Sequence, residues 1–181
     1  IQAKYIDELL DKDATSCLDI GCFDGVLLSE LGNRRSNLRL AGLEVNTLVG
    51  RPRQDSRLDI THKEAEIFER IYDLVIYSHS IMYIPQIKQQ LIGLKNVLSD
   101  AGFVFVQIPD LTVNPFYSLM GDQAFIFTPE SLITLFQRSG YCCEIQKIKE
   151  FSKELVVLAY PKKRKMYQQA SNDVAAKKNI Q

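Results

Sequence analysis

Histidine is scarce in this sequence, with two in 181 residues, and the four cysteines never form a C-x-x-C pair. Cys17, Cys22, Cys142 and Cys143 with His62 and His79 therefore do not complete a zinc pattern, and no metal site is expected. Net charge is absent too, since 22 Lys+Arg balance 22 Asp+Glu. That disfavours a nucleic-acid binder held by a broad basic face. No apolar run approaches the roughly 20 residues of a bilayer span. No signal-peptide pattern is visible, so the expectation is a cytoplasmic protein with buried free thiols.

What is present is an ordinary globular composition, 46% hydrophobic and 24% charged. That is enough to bury a real core and excludes wholesale disorder. The charges are unevenly spread. Residues 1–160 carry 16 basic and 21 acidic side chains, whereas 161–181 carry six basic and one acidic. The reading is one domain over 1–160 and a basic, polar, flexible tail over 161–181.

Ile1, Tyr5, Ile6, Leu9 and Leu10 recur at helical spacing and predict an opening amphipathic helix. Residues 16–21 read as a short buried strand, 25–31 as a helix, and 38–45 as a second strand. The polar stretch 46–57 reads as a loop, 57–60 as a short strand and 62–70 as a short helix or turn. Residues 72–77 are β-branched and aromatic and form the clearest strand. Pro85 suits a first helical position, with Ile87, Leu91, Leu94 and Leu98 continuing one face and Gly102 stopping it. A strand follows over 103–108, then an irregular aromatic stretch over 110–127. Thr128-Pro129-Glu130 predicts a capped helix, and two strands, 142–149 and 154–160, close the domain. Their connection is too short for a crossover helix, so they should be antiparallel. The pattern implies an α/β fold with a mostly parallel sheet.

The informative segment is Leu18-Asp19-Ile20-Gly21-Cys22-Phe23-Asp24-Gly25. A strand delivers an acid, a glycine turn and a helix N-terminus, the arrangement that binds ligands at the carboxyl end of a parallel sheet. The dinucleotide fingerprint fails, because Phe23 and Val26 stand where glycines are needed. The remaining chemistry suits an amine at Asp19 and a carboxylate at the turn amides. Glu44, at the end of the second strand, stands where an acid grips ribose hydroxyls.

With these residues the sequence resembles the class I S-adenosylmethionine-dependent methyltransferases. Their D-x-G-x-G-x-G motif matches Asp19, Gly21 and Gly25, with Phe23 at the middle glycine. Leu43-Glu44 resembles the ribose motif, Asp59 the acid that meets adenine, and Tyr72–Ile76 the "FDLVV" strand. Ser80–Pro85 stands in the "VLEHV" place, Val97–Phe103 resembles "VLKPGG", and Phe127–Leu132 with Ser139–Tyr141 resembles "FSPESL…AGF". The resemblance covers about 1–160. It implies a Rossmann-like seven-stranded mostly parallel sheet, order 3-2-1-4-5-7-6, with helices on both faces and a C-terminal antiparallel strand pair. It implies S-adenosyl-L-methionine as cofactor, held by Asp19, Gly21, Cys22, Phe23, Gly25, Glu44, Asp59, Ile60 and Ser78. The segments "GCFDG" and "IPDLTVNPF" resemble members tied to bacterial glycan and lipopolysaccharide synthesis. The implied acceptor is thus a small molecule or a glycan.

Three departures separate this chain from the family pattern. Phe23 replaces a glycine, the helix after the second strand is hard to find in 46–57, and Met82-Tyr83 replaces the Glu-His of "VLEHV". They make loss of activity, in a non-catalytic module of the same fold, the rival expectation; a nicotinamide oxidoreductase is disfavoured by the failed fingerprint. For an active enzyme, methyl transfer is proximity catalysis, with a base for a high-pKa oxygen. His79 and Tyr83 are the expected acceptor-side groups, His79 as base and Asp110 as second choice. The acceptor pocket is expected between 78–83 and the loop 109–127, where Phe116, Tyr117, Phe125 and Phe127 either line it or anchor the loop. Asp73 reads as a structural acid. The oligomeric state is left unassigned.

Overall fold

The computed structural model describes residues 1–46 and 53–162. The tail from 163 onward, and 47–52 of the expected loop, lie outside the described residues. The elements run α1 (Gln2–Leu9), β1 (Ser16–Ile20), α2 (Val26–Arg34), β2 (Arg39–Leu43), β3 (Leu58–Thr61), α3 (Glu64–Ile67), β4 (Tyr72–Ser78), α4 (Ile87–Leu94), β5 (Leu98–Pro109), α5 (Pro129–Arg138), β6 (Tyr141–Gln146) and β7 (Glu154–Pro161). The strands form a seven-stranded sheet of order β3-β2-β1-β4-β5-β7-β6, as expected. β3, β2, β1, β4 and β5 pair parallel. β7 runs against both β5 and β6. No helix among the described residues is long and apolar enough to cross a membrane.

The alternation of each strand sorts its side chains between two cores. Cys17, Leu74, Ile76, Phe103, Phe105, Val156 and Leu158 face α1 and α2, meeting Ile6, Leu28 and Leu31. Leu18, Ile20, Val75, Tyr77, Val104, Val106 and Val157 face α4 and α5, meeting Leu91, Leu132 and Phe136. β1 is buried along its whole length, because strands flank both its edges and helices cover both faces. Thr128 caps α5 reciprocally with Ser131, so the Thr-Pro-Glu start predicts that boundary correctly.

Two boundaries differ from the sequence reading. Pro85 is not a first helical residue: a 3-10 turn over Ile81–Tyr83 intervenes and α4 begins at Ile87. Leu98, expected on the helix face, opens β5 instead and pairs with Tyr72. The next register pair is Leu74 with Phe103, so 99–102 bulges out of the ladder. A Cβ on Gly102 would stand 2.9 Å from both Ser99 N and Tyr72 O, which is why glycine closes this bulge.

Asp73 ties that bulge to the start of β1. Its carboxylate accepts from the N–H groups of Thr15 and Ser16 at 2.8 and 3.1 Å. It also accepts from the hydroxyls of Ser16 and Ser99 at 3.0 and 2.6 Å. Burial pushes this carboxyl up, but the bonds from Ser99, Thr15 and Ser16 outweigh it and hold it below the usual range. Removing the acceptor leaves several donors unmet, so Asp73→Ala should cost roughly 1–3 kcal/mol in urea unfolding at pH 7. A depressed carboxylate stabilises above its unfolded value and loses that contribution as pH falls through the native one. The gap between wild type and variant should therefore narrow below about pH 4.

Candidate cofactor site

The crevice lies at the carboxyl ends of β1, β2 and β4. Asp19 sits on the α1–α2 face of β1 and is only 2% exposed. Its Oδ1 is buried without a hydrogen-bond partner. Burial first, and the negative Glu44 second, push its carboxyl up to about 7. Gly21 follows at φ +78°, and a Cβ there would stand 2.5 Å from Ser80 Cβ. The Ser80 hydroxyl in turn donates to the Ile20 carbonyl. The turn after β1 and the turn after β4 are thus packed backbone to side chain, and only glycine fits between them.

Glu44 stands just past β2 and is also buried. Its Oε2 accepts from the Phe23 N–H at 3.0 Å and its Oε1 from the Asn46 N–H at 2.8 Å. Each carboxylate oxygen keeps a second lone pair for a hydroxyl donor. Phe23 adopts φ +53°, and its ring is 60% exposed. The residue that replaces the middle glycine is thus largely open to solvent.

The amides of the turn have other duties. Gly21 and Cys22 donate to the Leu43 carbonyl at 2.7 and 3.2 Å, and Gly25 to the Cys22 carbonyl at 2.9 Å. With Phe23 on Glu44, these four N–H groups are committed within the protein. Val26 N–H, at the start of α2, is capped by Asp24 Oδ1 at 3.1 Å. The expected amide cradle for an anionic end is taken up by the fold at these positions.

The remaining expected residues fall in three places. Cys22 points into the core, where its Sγ occupies the space over Gly42. Burial, then Asp19 and Glu44, push its thiol up to about 12, so it supplies no thiolate. Ile60 packs beneath Gly25 and Gly42. Asp59 lies in mid-strand, and its carboxylate pairs with Arg70 at the surface, apart from the Asp19–Glu44 pair. Beside Glu44 on this edge stands His62, whose Nδ1 is 2.5 Å from the Glu44 carbonyl oxygen. The sequence gives no sign of this contact, because it depends on the register of β3 against β2.

On the side expected to face the acceptor, the Ser78 hydroxyl accepts from Gln2 Nε2 at 2.9 Å, tying α1 to the end of β4. His79 follows at φ +55° with its side chain half exposed. Tyr83 ends the 3-10 turn and is exposed. The loop after β5 folds back on that turn, with Ala124 and Phe125 N–H donating to the Met82 carbonyl at 3.0 and 3.1 Å. Phe125 stacks on the buried Phe127, while Phe116 and Leu119 project outward. The cavity left beneath this loop is about 10 Å³, room for one water. Here the aromatics anchor the loop more than they line an open pocket. Asp110 is engaged locally by Thr112. No group of His, Cys, Asp and Glu among the described residues is arranged to hold a metal ion.

A glycine turn between two buried acids, on a sheet of this strand order, defines the Rossmann-like methyltransferase fold. The model of the methyltransferase-domain family matches residues 2–155, and the chain belongs to that family. No curated protein matches the sequence. Among solved structures, a protein assigned as an O-methyltransferase from Nostoc punctiforme PCC 73102 is similar at TM-score 0.71 and 19% identity, over 88% of this chain and 55% of that one. The plantazolicin methyltransferase BpumL, in complex with a monoazolic desmethylPZN analog and SAH, is similar at TM-score 0.68 and 14% identity, over 88% and 81%. The mitomycin 7-O-methyltransferase MmcR is similar at TM-score 0.68 and 15% identity, over 88% and 53%. The chain thus spans about half the length of the first and third of these proteins.

Asp19 gives a direct test of the site's electrostatics. Its native value near 7 lies above the ordinary 3.8, so ionisation is penalised in the folded protein only. The penalty is absent below about pH 4, grows as pH rises and is complete above about 7. Without ligand, Asp19→Asn should therefore gain stability over wild type between pH 4 and 8, on the order of a few kcal/mol. Unfolding curves at both pH values check this; a constant difference would show that the fold does not raise the Asp19 carboxyl.

Proposed function

We propose that this protein binds S-adenosyl-L-methionine and transfers its methyl group to a small-molecule acceptor. The observation that carries this is the buried Asp19 carboxylate with an unpartnered oxygen, beside Glu44 at a glycine turn. A buried acid of this kind demands a donor, and an ammonium group meets it with a charge-assisted bond. Glu44, with a lone pair free on each oxygen, suits the two hydroxyls of a ribose. When bound, the cofactor supplies an activated methyl on a positively charged sulfur, so the hard chemistry is its own.

The protein's part is to hold, orient and exclude water. Asp19 and Glu44 fix the two ends of the ligand, with Gly21 allowing close approach between them. His62 stands where the base of the nucleoside would extend beyond Glu44. Ser78, His79 and Tyr83 border the side toward which the methyl would point. Family membership and the SAH in the plantazolicin enzyme support the cofactor. The acceptors named for the plantazolicin and mitomycin enzymes support a small molecule. A glycan acceptor rests on the "GCFDG" and "IPDLTVNPF" segments alone. The four free thiols suit a reducing, cytoplasmic setting.

Calorimetry with S-adenosylhomocysteine tests the reading. Wild type should bind, and Glu44→Ala should bind on the order of tenfold more weakly or worse, since each charge-assisted bond is worth roughly 1.5–3 kcal/mol. Unchanged affinity in a folded Glu44→Ala protein would remove the ribose assignment, and no binding by wild type would reject the cofactor.

A further inference from the structure

The end of β4 and the start of β7 lie on either side of β5, and there two side chains meet that no sequence motif pairs. Nε2 of His79 lies 3.5 Å from Oε2 of Glu154. That oxygen is buried and makes no hydrogen bond. His79 is fixed by its backbone, with its N–H donating to the Gln107 carbonyl on β5 at 2.8 Å. Its φ of +55° is rarely adopted outside glycine. Glu154 is fixed by pairing with Pro109 at the start of β7. Burial pushes the Glu154 carboxyl up, and the facing imidazole pulls it back.

We propose that Glu154 is the positioning partner of His79. It holds Nε2 protonated toward its carboxylate and leaves Nδ1 as the proton acceptor for a hydroxyl-bearing substrate. The use of that proton acceptor rests on the methyl-transfer reading; the pairing does not. In the step, the hydroxyl proton moves to Nδ1 while the acceptor oxygen takes the methyl. The electron pair of the broken S–C bond stays on sulfur, and His79 returns the proton to water. Glu154 also borders a cavity of about 470 Å³, shared with Asp110, Lys147, Lys149 and Phe151. That volume lies within the roughly 300–1,000 Å³ of small-ligand sites, and it opens on the β6–β7 side of the pair.

The other groups around the pair are few. Asp110 follows β5, and Lys147, Lys149 and Lys153 lie on the turn between β6 and β7. Gln107 of β5, Ser78 of β4 and Gln2 of α1 are neutral. From α1, Tyr5 reaches Gln146, and burial and Glu8 raise its phenol, so it stays protonated at neutral pH. Among these groups, Glu154 is the only carboxylate in ion-pair contact with His79.

With two histidines in the chain, both imidazoles can be followed by NMR in labelled full-length protein, without ligand, using His62→Gln for assignment. Neutral His79 should show the Nε2–H tautomer. In folded Glu154→Gln the preference for Nε2–H should weaken, because the facing carboxylate is lost, while the tautomer of His62 is unchanged. An Nδ1–H tautomer in wild type, or an unmoved tautomer ratio of His79 in folded Glu154→Gln, would overturn the pairing. Should that variant not fold, the Glu154 carboxyl can be titrated in His79→Gln. It should rise there, and an unchanged value would equally overturn the proposal. These readings involve no cofactor, so a failure to bind S-adenosylhomocysteine would count against the proposed function and leave the pairing standing.

Discussion

A carboxylate buried without a partner for one oxygen governs the chemistry of this molecule. Asp19 lies on the central strand, covered by α1 and α2, with Glu44 as its nearest electrostatic influence. An uncompensated acid in such a place is among the costlier features a fold can carry. Nothing in the packing requires it, since an apolar residue would suit the surrounding core of Cys17, Leu74 and Ile76 better. Such a cost is retained where a ligand supplies the missing donor. The raised ionisation of Asp19 then has a second meaning: a cation entering the crevice meets an acid that gains by becoming fully charged.

The sheet order brings this acid to the ligand side. Placing β1 between β2 and β4 sends the chain outward in opposite directions from the centre, opening a crevice at the carboxyl edge. Gly21 and Ser80 close the floor of that crevice by direct contact. The same order sets β5 and β7 beyond β4, so polar residues ending β4 and starting β7 can face one another. The Asp19–Glu44 crevice and the His79–Glu154 pair are therefore two consequences of one topology. Asp73, at the opposite edge, shows the contrasting case of an acid whose bonding is satisfied by the fold.

Most of the fold was legible because its signals are local. Asp19-Ile20-Gly21, the buried run at 72–77, and Thr128-Pro129-Glu130 each declare an element within a few residues. Legibility failed where a competing interaction was distant. Leu98 continues the helical spacing of Leu91 and Leu94, yet pairing with Tyr72 draws it into β5. Pro85 has the chemistry of a helix start, but the chain first turns at 81–83 so that Met82 can receive the loop after β5. In the site, Asp19, Glu44 and Gly21 converge as their motif order implies. Asp59 matches a spacing and pairs with Arg70 at the surface, while His62 reaches the edge beside Glu44. Glu154 carries no motif at all; its place follows from a register that only the closed sheet defines.

Backbone strain marks the same edge independently of any side-chain chemistry. Among the described residues, Phe23 and His79 are the two non-glycine residues in the left-handed region. A left-handed backbone costs an L-residue roughly 1–2 kcal/mol. Phe23 is the third residue after β1 and His79 the first after β4, the strands that flank the crevice. In each case a fixed backbone bond sustains the conformation, Phe23 N–H on the Glu44 carboxylate and His79 N–H on the Gln107 carbonyl. The first bond links strain to the acid proposed to grip the ligand, and the second aims an imidazole at Glu154. A glycine at either position would relieve the strain but would lose a side chain directed out of the turn. The middle glycine that this chain lacks is therefore replaced by a residue whose strained backbone the Glu44 carboxylate holds and whose side chain stays open to solvent.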